Sequence, residues 1–435
     1  MILAREGPFR RNGQADVAQL GAPATSLAGT VAPMDGLVDV AVVGAGPGGV
    51  AAAITARDLG CSVVCVDKAT FPRDKTCGDG LTAGALRQLE ALGLSSAEFG
   101  DAGPAWVHET VLVSPSGRQV TLPLPTGNGN YAAVATRRDL DAALVALARR
   151  HGVVVREQCA VEDVTPRASH IGLRCGDGHM LRARHVIAAD GHWSPVRRAV
   201  EPGTPRDLGE WHAVRQYFAD VDDDRLWVFF EPDLLPGYAW VFPLPGGRAN
   251  VGFGVLRAAG RTGRDLKQLW PELLARRTLR AALGPNAQPT EPVRAWPIPS
   301  RYDPDRLTNG RVLFVGDAAG VVDPMTGEGI AQALETGALA AQAVAAGGTP
   351  HAVAARYRQR VGQALGRDLR MASALQSLLR SPLGARAAIA AAGLTPWTRR
   401  NFARWMFEDY PRAIVVTPDR WHRGAFSAPG AYRMT

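Results

Sequence analysis

Asp39-Val40-Ala41-Val42-Val43-Gly44-Ala45-Gly46-Pro47-Gly48-Gly49, continued by the alanine-rich run from Val50 to Leu59, is the stretch around which the rest of the chain arranges itself. A short apolar run suited to a β-strand ends in Gly44-x-Gly46-x-x-Gly49 and passes straight into residues of helix composition, the order a dinucleotide-binding turn requires. Gly44 permits the tight turn, Gly46 lets the backbone approach a pyrophosphate and Gly49 allows close helix-to-strand packing. The phosphates would rest on the helix N-terminus, where unpaired N–H groups point. The next strand, Cys61-Ser62-Val63-Val64-Cys65-Val66-Asp67, ends in a carboxylate about twenty residues further on, with Lys68 beside it. An acid there binds both ribose hydroxyls of an adenosine and repels a 2′-phosphate, so the reading is FAD or NAD rather than NADP. The glycines alone would also fit a turn in an ordinary α/β crossover.

The chain of 435 residues has room for two or three lobes, and its hydrophobic content of 46% with 21% charged residues is that of a globular protein. No run approaches the apolar length of a membrane span. Arg10-Arg11 is followed by residues too polar for an export signal, so residues 1–35 read as a flexible extension. Five cysteines, Cys61, Cys65, Cys77, Cys159 and Cys175, fall in no metal-ligand or disulfide-scaffold spacing, which implies no metal and a reduced, cytoplasmic setting. The net charge of +8 comes from the tail, where fourteen arginines stand against Asp368, Glu408, Asp409 and Asp419. Such a tail could meet an anionic membrane periphery, an acidic redox partner or a pyrophosphate-bearing substrate, or simply be a solvated face. No recognition motif points to nucleic acid.

Beyond the first β-α-β unit, Thr70 to Gly80 is a loop, and helices are expected over about 81–92, 139–150, 264–275 and 329–346. Strands are expected over 107–124, 153–188 and much of the aromatic-rich middle. The tail reads as helical to about Tyr410. Two later motifs follow the glycine turn in order: Asp190-Gly191 at the end of an apolar strand, and Gly316-Asp317-Ala318-Ala319-Gly320 running into Asp323-Pro324-Met325-Thr326-Gly327-Glu328-Gly329-Ile330.

Taken together, the three motifs resemble the signatures of FAD-dependent oxidoreductases built like the aromatic hydroxylases, over roughly residues 37–346. That resemblance implies an α/β fold: a Rossmann-type FAD-binding domain with an inserted mixed β-sheet substrate domain and a helical C-terminal region. The expected divisions are 36–105, 130–200 and 305–346 for the FAD-binding domain, 106–129 and 201–304 for the substrate domain, and 347–435 for the basic helical region. Asp317 would lie along the ribityl chain. Gly327, Gly329 and Ile330 would open a helix whose free N–H groups face the flavin pyrimidine edge and stabilise negative charge there. Arg137, in Arg137-x-x-Leu140-Asp141, looks like the arginine that reaches the pyrophosphate region. Asp190 is either a cofactor contact or a turn-stabilising residue.

Within that superfamily, Phe71-Pro72-Arg73-Asp74-Lys75-Thr76-Cys77-Gly78-Asp79-Gly80-Leu81 looks like the cysteine loop of the geranylgeranyl reductase family. Tyr238-x-Trp240-x-Phe242-Pro243, eight residues before Gly252-x-Gly254, looks like that family's substrate-pocket motif, although Pro236-Gly237-Tyr238 is shorter by one residue than in relatives. The likeness makes Cys77, Tyr238 and Trp240 the candidate catalytic residues. Lys75 and Arg73 beside Cys77 are expected to lower its pKa, and the alternating aromatics form either a wall for an apolar ligand or ordinary core.

Two activities share this scaffold. One is hydride transfer from reduced FAD to a C=C bond of an isoprenoid or other apolar substrate; the other is a monooxygenase acting through a C4a-hydroperoxide on an aromatic or indole-type natural-product intermediate. A halogenase is disfavoured because no lysine lies between Lys75 and Lys267, and a non-catalytic flavin carrier is disfavoured by the intact motifs. Electrons would come from NAD(P)H bound transiently, a ferredoxin or a separate flavin reductase, since no second glycine turn is present.

Overall fold

The computed structural model describes residues 36–203, 208–257, 263–421 and 428–433; the expected N-terminal extension lies outside them. Parallel strands Val63–Val66, Leu37–Val43, Met180–Ala188 and Val312–Phe314 lie side by side, with Val154–Arg156 beyond the first. Their residues are Val-, Ile- and Ala-rich on both faces, as a sheet covered on two sides requires. Helices Pro47–Asp58 and Ile330–Ala345 pack together on this sheet, and the approach is tight enough that a Cβ on Gly337 would lie 2.1 Å from the carbonyl oxygen of Gly48.

Register is what builds the site. Val43 pairs with Val66 and with Ala188, and Ala188 pairs with Phe314. The carboxyl ends of four strands therefore line up, and the turns that follow them (Gly44, Asp67, Asp190 and Gly316) emerge along one edge, where ligands of open α/β sheets bind.

A second sheet, mostly antiparallel, is built from Glu109–Val113, Gln119–Pro123 and strands between Trp211 and Ile298. Its central pair is Tyr238–Leu244 against Arg248–Leu256, in a register that sets Tyr238 opposite Gly254, Trp240 opposite Gly252 and Phe242 opposite Asn250. The motif spacing thus has a steric reason. A Cβ on Gly252 would meet the Trp240 ring at 2.4 Å, so the large residue and its glycine partner are one packing unit. A small third sheet joins Gly80–Thr82, Ala132–Val134 and Ala105–Trp106.

One sequence expectation is corrected. Cys159 and Cys175, both buried, form a disulfide with Cα atoms 5.6 Å apart. The pairing arises from the antiparallel hairpin Val161–Pro166 and Ile171–Cys175, which brings its two ends together; linear spacing carries no trace of it. The cysteine count therefore does not argue for a reduced compartment. No described helix is long and apolar enough to cross a membrane.

Candidate active site

At the glycine turn, Gly44 has φ +101° and its N–H donates to the Val66 carbonyl at 2.7 Å. A Cβ at Gly49 would lie 1.7 Å from the Gly44 carbonyl oxygen, so helix and turn interlock only without side chains. Asp67 braces this arrangement: one carboxylate oxygen accepts from Ala45 N–H at 2.7 Å and the other from Ala69 N–H at 2.8 Å. Lys68 beside it is exposed on the cavity rim.

A side chain at Gly46 would find the Nη2 atoms of Arg137 and Arg73 each 3.7 Å away. Both guanidiniums are held by the fully buried Asp141, Arg137 through two bonds of 2.8 and 2.7 Å and Arg73 through one of 2.9 Å. A backbone left bare by glycine, a helix N-terminus and two pre-aimed guanidiniums form a cradle suited to a pyrophosphate. Sequence reasoning identified Arg137 but not this role for Arg73, whose loop position hid its convergence on the turn.

The other motifs reach the same cavity with some revisions. Asp190 accepts from Val196 N–H at 3.1 Å in the first turn of the short helix Pro195–Val200, which Ser194 caps, while its second oxygen has no hydrogen-bond partner. Burial pushes its pKa up to about 6. Asp317 accepts from the Lys75 ammonium at 3.2 Å; burial works against its charge, but Lys75 and Arg137 hold it below the ordinary carboxylate range. Lys75 thus lines the cavity, so the scarcity of lysines does not leave the site without one.

At the start of helix Ile330–Ala345, two of the N–H groups expected to be free are already engaged. Glu328 folds back so that one oxygen accepts from Ile330 N–H at 2.9 Å and Ala331 N–H at 3.2 Å, a contact made by its position two residues ahead of the first turn. Gly327 (φ +72°) allows that reversal, and Gly329 packs against Val322. Burial and the neighbouring Glu408 push the Glu328 pKa up.

Cys77 faces the same cavity, but the expected lowering of its pKa is reversed. Burial pushes the thiol up and Asp79 adds to this, outweighing the opposing Arg137 and Lys75. Its carbonyl accepts from Asn250 Nδ2 at 2.8 Å. The same amide nitrogen donates to Asp79 at 2.8 Å, and Asn250 Oδ1 accepts from the Trp240 indole at 3.0 Å. Asp79, fully buried at φ +65°, also accepts from the Tyr217 hydroxyl at 2.5 Å and Arg137 N–H at 3.3 Å, with burial raising its pKa to about 6.

Sequence reasoning missed Asp79, Asn250 and Tyr217. Asp79 stood within the quoted loop, yet only the left-handed backbone turns its carboxylate inward. Buried Arg215 secures the loop further, gripping Asp74 at 2.8 and 2.7 Å and pairing with Glu291.

Tyr238, Trp240 and Phe242 form a ladder with ring centroids 6.0 and 5.9 Å apart, extended by Phe230 at 6.1 Å. Gly78 and Gly80 of the cysteine loop lie against Trp240 and Phe242. Both polar handles are engaged, the Tyr238 hydroxyl donating to the Thr326 carbonyl and the Trp240 indole to Asn250. The geometry makes these residues a wall whose orientation is locked. One continuous cavity runs from Gly44 and Lys68, past Cys77, to Tyr238 and Ile330.

The C-terminal region contributes to this site. Arg412, 2% exposed, bonds Asp323 at 3.1 Å and lies 3.7 Å from Glu408; Asp323 in turn accepts from Met325 and Thr326 N–H at 2.8 Å each. Glu408 also accepts from Thr82 at 3.0 Å and Gln332 at 2.9 Å. Part of the tail's charge is therefore internal, clamping the loop from Asp323 to Ile330.

Comparison with known proteins gives a consistent picture. The family model described as FAD binding domain matches residues 37–359. A menaquinone reductase of Mycolicibacterium smegmatis is 33% identical over 334 residues, covering 72% of this chain and 78% of that protein. Digeranylgeranylglycerophospholipid reductase 2 of Methanopyrus kandleri is 31% identical, covering 77% and 84%. A solved geranylgeranyl bacteriochlorophyll reductase-like protein from Thermoplasma acidophilum superposes with a TM-score of 0.74 at 24% identity, covering 88% of this chain and 99% of that one. The halogenase PltM shares the fold with a TM-score of 0.66 at 15% identity, covering 88% and 86%.

Proposed function

Because the chain belongs to the FAD-binding oxidoreductases, within them to the geranylgeranyl reductase family, we propose that it reduces C=C bonds of an isoprenoid or other apolar substrate. The observation that carries this reading is the single cavity in which the cysteine loop, backed by Asp79 and Asn250, lies against the locked aromatic wall. Relatives named for menaquinone and for a digeranylgeranyl lipid act on molecules that carry long apolar chains, in keeping with such a wall.

Bound FAD supplies hydride chemistry. The chain's own residues do the rest. Arg73, Arg137 and the turn at Gly44 to Gly49 would hold its pyrophosphate, Asp67 would face the ribose side and Asp317 the ribityl side. Tyr238, Trp240 and Phe242 bind the apolar chain and exclude water. The Cys77 thiol, kept protonated by burial, holds the proton that a carbon centre needs once hydride has been added. Electrons reach the site from NAD(P)H, a ferredoxin or a separate flavin reductase.

The alternative is oxygen insertion into an aromatic or indole-type substrate, a second chemistry that one flavin-binding scaffold can carry. The test uses enzyme reduced chemically under nitrogen, so that the natural donor is not needed, and incubated with a polyprenyl quinone. After reoxidation of the product to the quinone, mass spectrometry should show a gain of two hydrogens that fragments with the prenyl chain, not with the ring. No change under nitrogen, with label incorporated from oxygen gas, would replace the reductase reading with the monooxygenase one.

A further inference from the structure

Six of the eleven exposed large apolar side chains among the described residues lie between positions 378 and 421. Their distribution is ordered. Helix Pro382–Ala392 exposes Leu383 (73%), Ala387 and Ala391 at spacings of four, which places them on one outward stripe, and Leu394 (72%) is exposed just past the helix end. Leu378 stands at one end of that stripe, its side chain against Gly384, and Trp397 (66% exposed) stands at the other, in the first turn of helix Pro396–Met406. The inward side of the same helix pair is also apolar: Ile389, Ala392 and Ala403 pack into the cluster that holds Tyr238 and Phe242.

The charge pattern is as one-sided as the exposure. From 369 to 407 the chain has no aspartate or glutamate and six arginines. Arg380, Arg386, Arg399 and Arg400 of this segment are exposed, and none of them has a carboxylate partner among the described residues. A helix with an exposed Leu/Trp stripe, a guanidinium collar and no acid is the composition of an interfacial element. Apolar side chains enter the acyl boundary, tryptophan sits at headgroup level and arginines meet lipid phosphates.

We propose that the outer face of the helix pair Pro382–Ala392 and Pro396–Met406 docks the protein on an anionic bilayer, while its inner face packs on the edge strand Gln119–Pro123 of the sheet that carries the aromatic wall. An acidic protein would meet the arginines but leave the apolar stripe between them in water, so the bilayer fits both features. The inference rests on the reading of the substrate as a membrane-resident apolar molecule.

The experiment is flotation of the FAD-loaded protein with vesicles of phosphatidylcholine alone or mixed with phosphatidylglycerol. Binding is expected to the mixed vesicles at low salt, weakened by added salt, with a blue shift of tryptophan emission. A Leu383→Gln, Leu394→Gln, Trp397→Gln variant should lose at least tenfold in binding while keeping its flavin spectrum and its turnover of a short-chain, water-soluble substrate. An Arg386→Gln, Arg399→Gln, Arg400→Gln variant should weaken roughly fivefold per arginine, on the anionic vesicles only. Equal binding by wild type and both variants, or none by wild type, overturns the proposal, as does a concentration-dependent dimer abolished by the apolar variant. Vesicle binding without C=C reduction would leave this face standing and remove the reductase reading; reduction of a soluble substrate without vesicle binding would do the reverse.

Discussion

Asn250 and Asp79 show how single side chains organise this site. One amide spans the Trp240 ring, the Cys77 carbonyl and the Asp79 carboxylate, so wall, thiol loop and buried acid share one hydrogen-bond node. Replacing Cys77 by Ala should leave FAD bound and lower turnover by roughly 10²–10⁴-fold if the thiol is the proton donor; an unchanged steady-state rate would remove it from the mechanism. Asp79 makes a pH-dependent prediction. Its folded pKa of about 6 lies above the ordinary 3.8, so the folded state holds the proton more tightly and stability from this group is lost as pH rises from about 4 to 6. Against Asp79→Asn, which cannot titrate, the wild type should gain on the order of 1 kcal/mol on going from pH 7 to pH 5. Denaturant midpoints at the two pH values measure this, and a difference that stays flat would mean the carboxyl is not perturbed.

Close approach limits what the elements tolerate. Gly252 lies in a strand whose partner presents Trp240, and its missing Cβ is occupied by the indole and by the Val214 carbonyl oxygen at 2.3 Å. Gly252→Ala should therefore cost about 1–3 kcal/mol through overpacking and tilt the wall, seen as a lower melting temperature and a raised KM for the apolar substrate. Gly254 on the same strand borders the cavity with nothing within 4 Å of a Cβ there, so Gly254→Ala is the control for the melting temperature and should lower it far less. At the glycine turn, Gly49→Ala forces helix Pro47–Asp58 off Gly44, and the purified protein should emerge largely colourless. Retention of a full flavin spectrum in Gly49→Ala would contradict the cradle described for Gly44 to Gly49.

Across the whole molecule, the tail and the cofactor-side loop are energetically one unit. Arg412 and Asp323 are both 2% exposed in their side chains, and removing one leaves the other charged in a buried site. Arg412→Ala is expected to cost about 3–5 kcal/mol, the usual penalty for breaking a buried pair from one side. It should also raise FAD dissociation, because Asp323 holds the turn that leads to Gly327 and Ile330. Thermal melts and flavin-release assays read both effects; a variant with wild-type melting and wild-type flavin retention would show the clamp to be dispensable. The outward face of the same region is the docking surface proposed above, so the tail joins the loop beside the cavity to a surface at the molecule's exterior.

The amino-acid sequence by itself determined the FAD-binding class and the order of its parts. Local chemistry carried it as far as a dinucleotide, through glycines where backbone must approach phosphate and an acid at the end of the second strand, and the resemblance of the motifs at Asp190-Gly191 and Gly316-Asp317 narrowed it to FAD. It did not reveal the Cys159–Cys175 bond, the raised Cys77 pKa, the Glu328 cap on the first two N–H groups of the helix, or the buried Asp79 and Arg412. Each of these depends on burial or on contacts between residues far apart in the chain. Lys75 and Arg73 look like activating neighbours of a thiol until Asp317 and Asp141 claim them. Desolvation and long-range charge are properties of the packed molecule, and only the tertiary structure decided them.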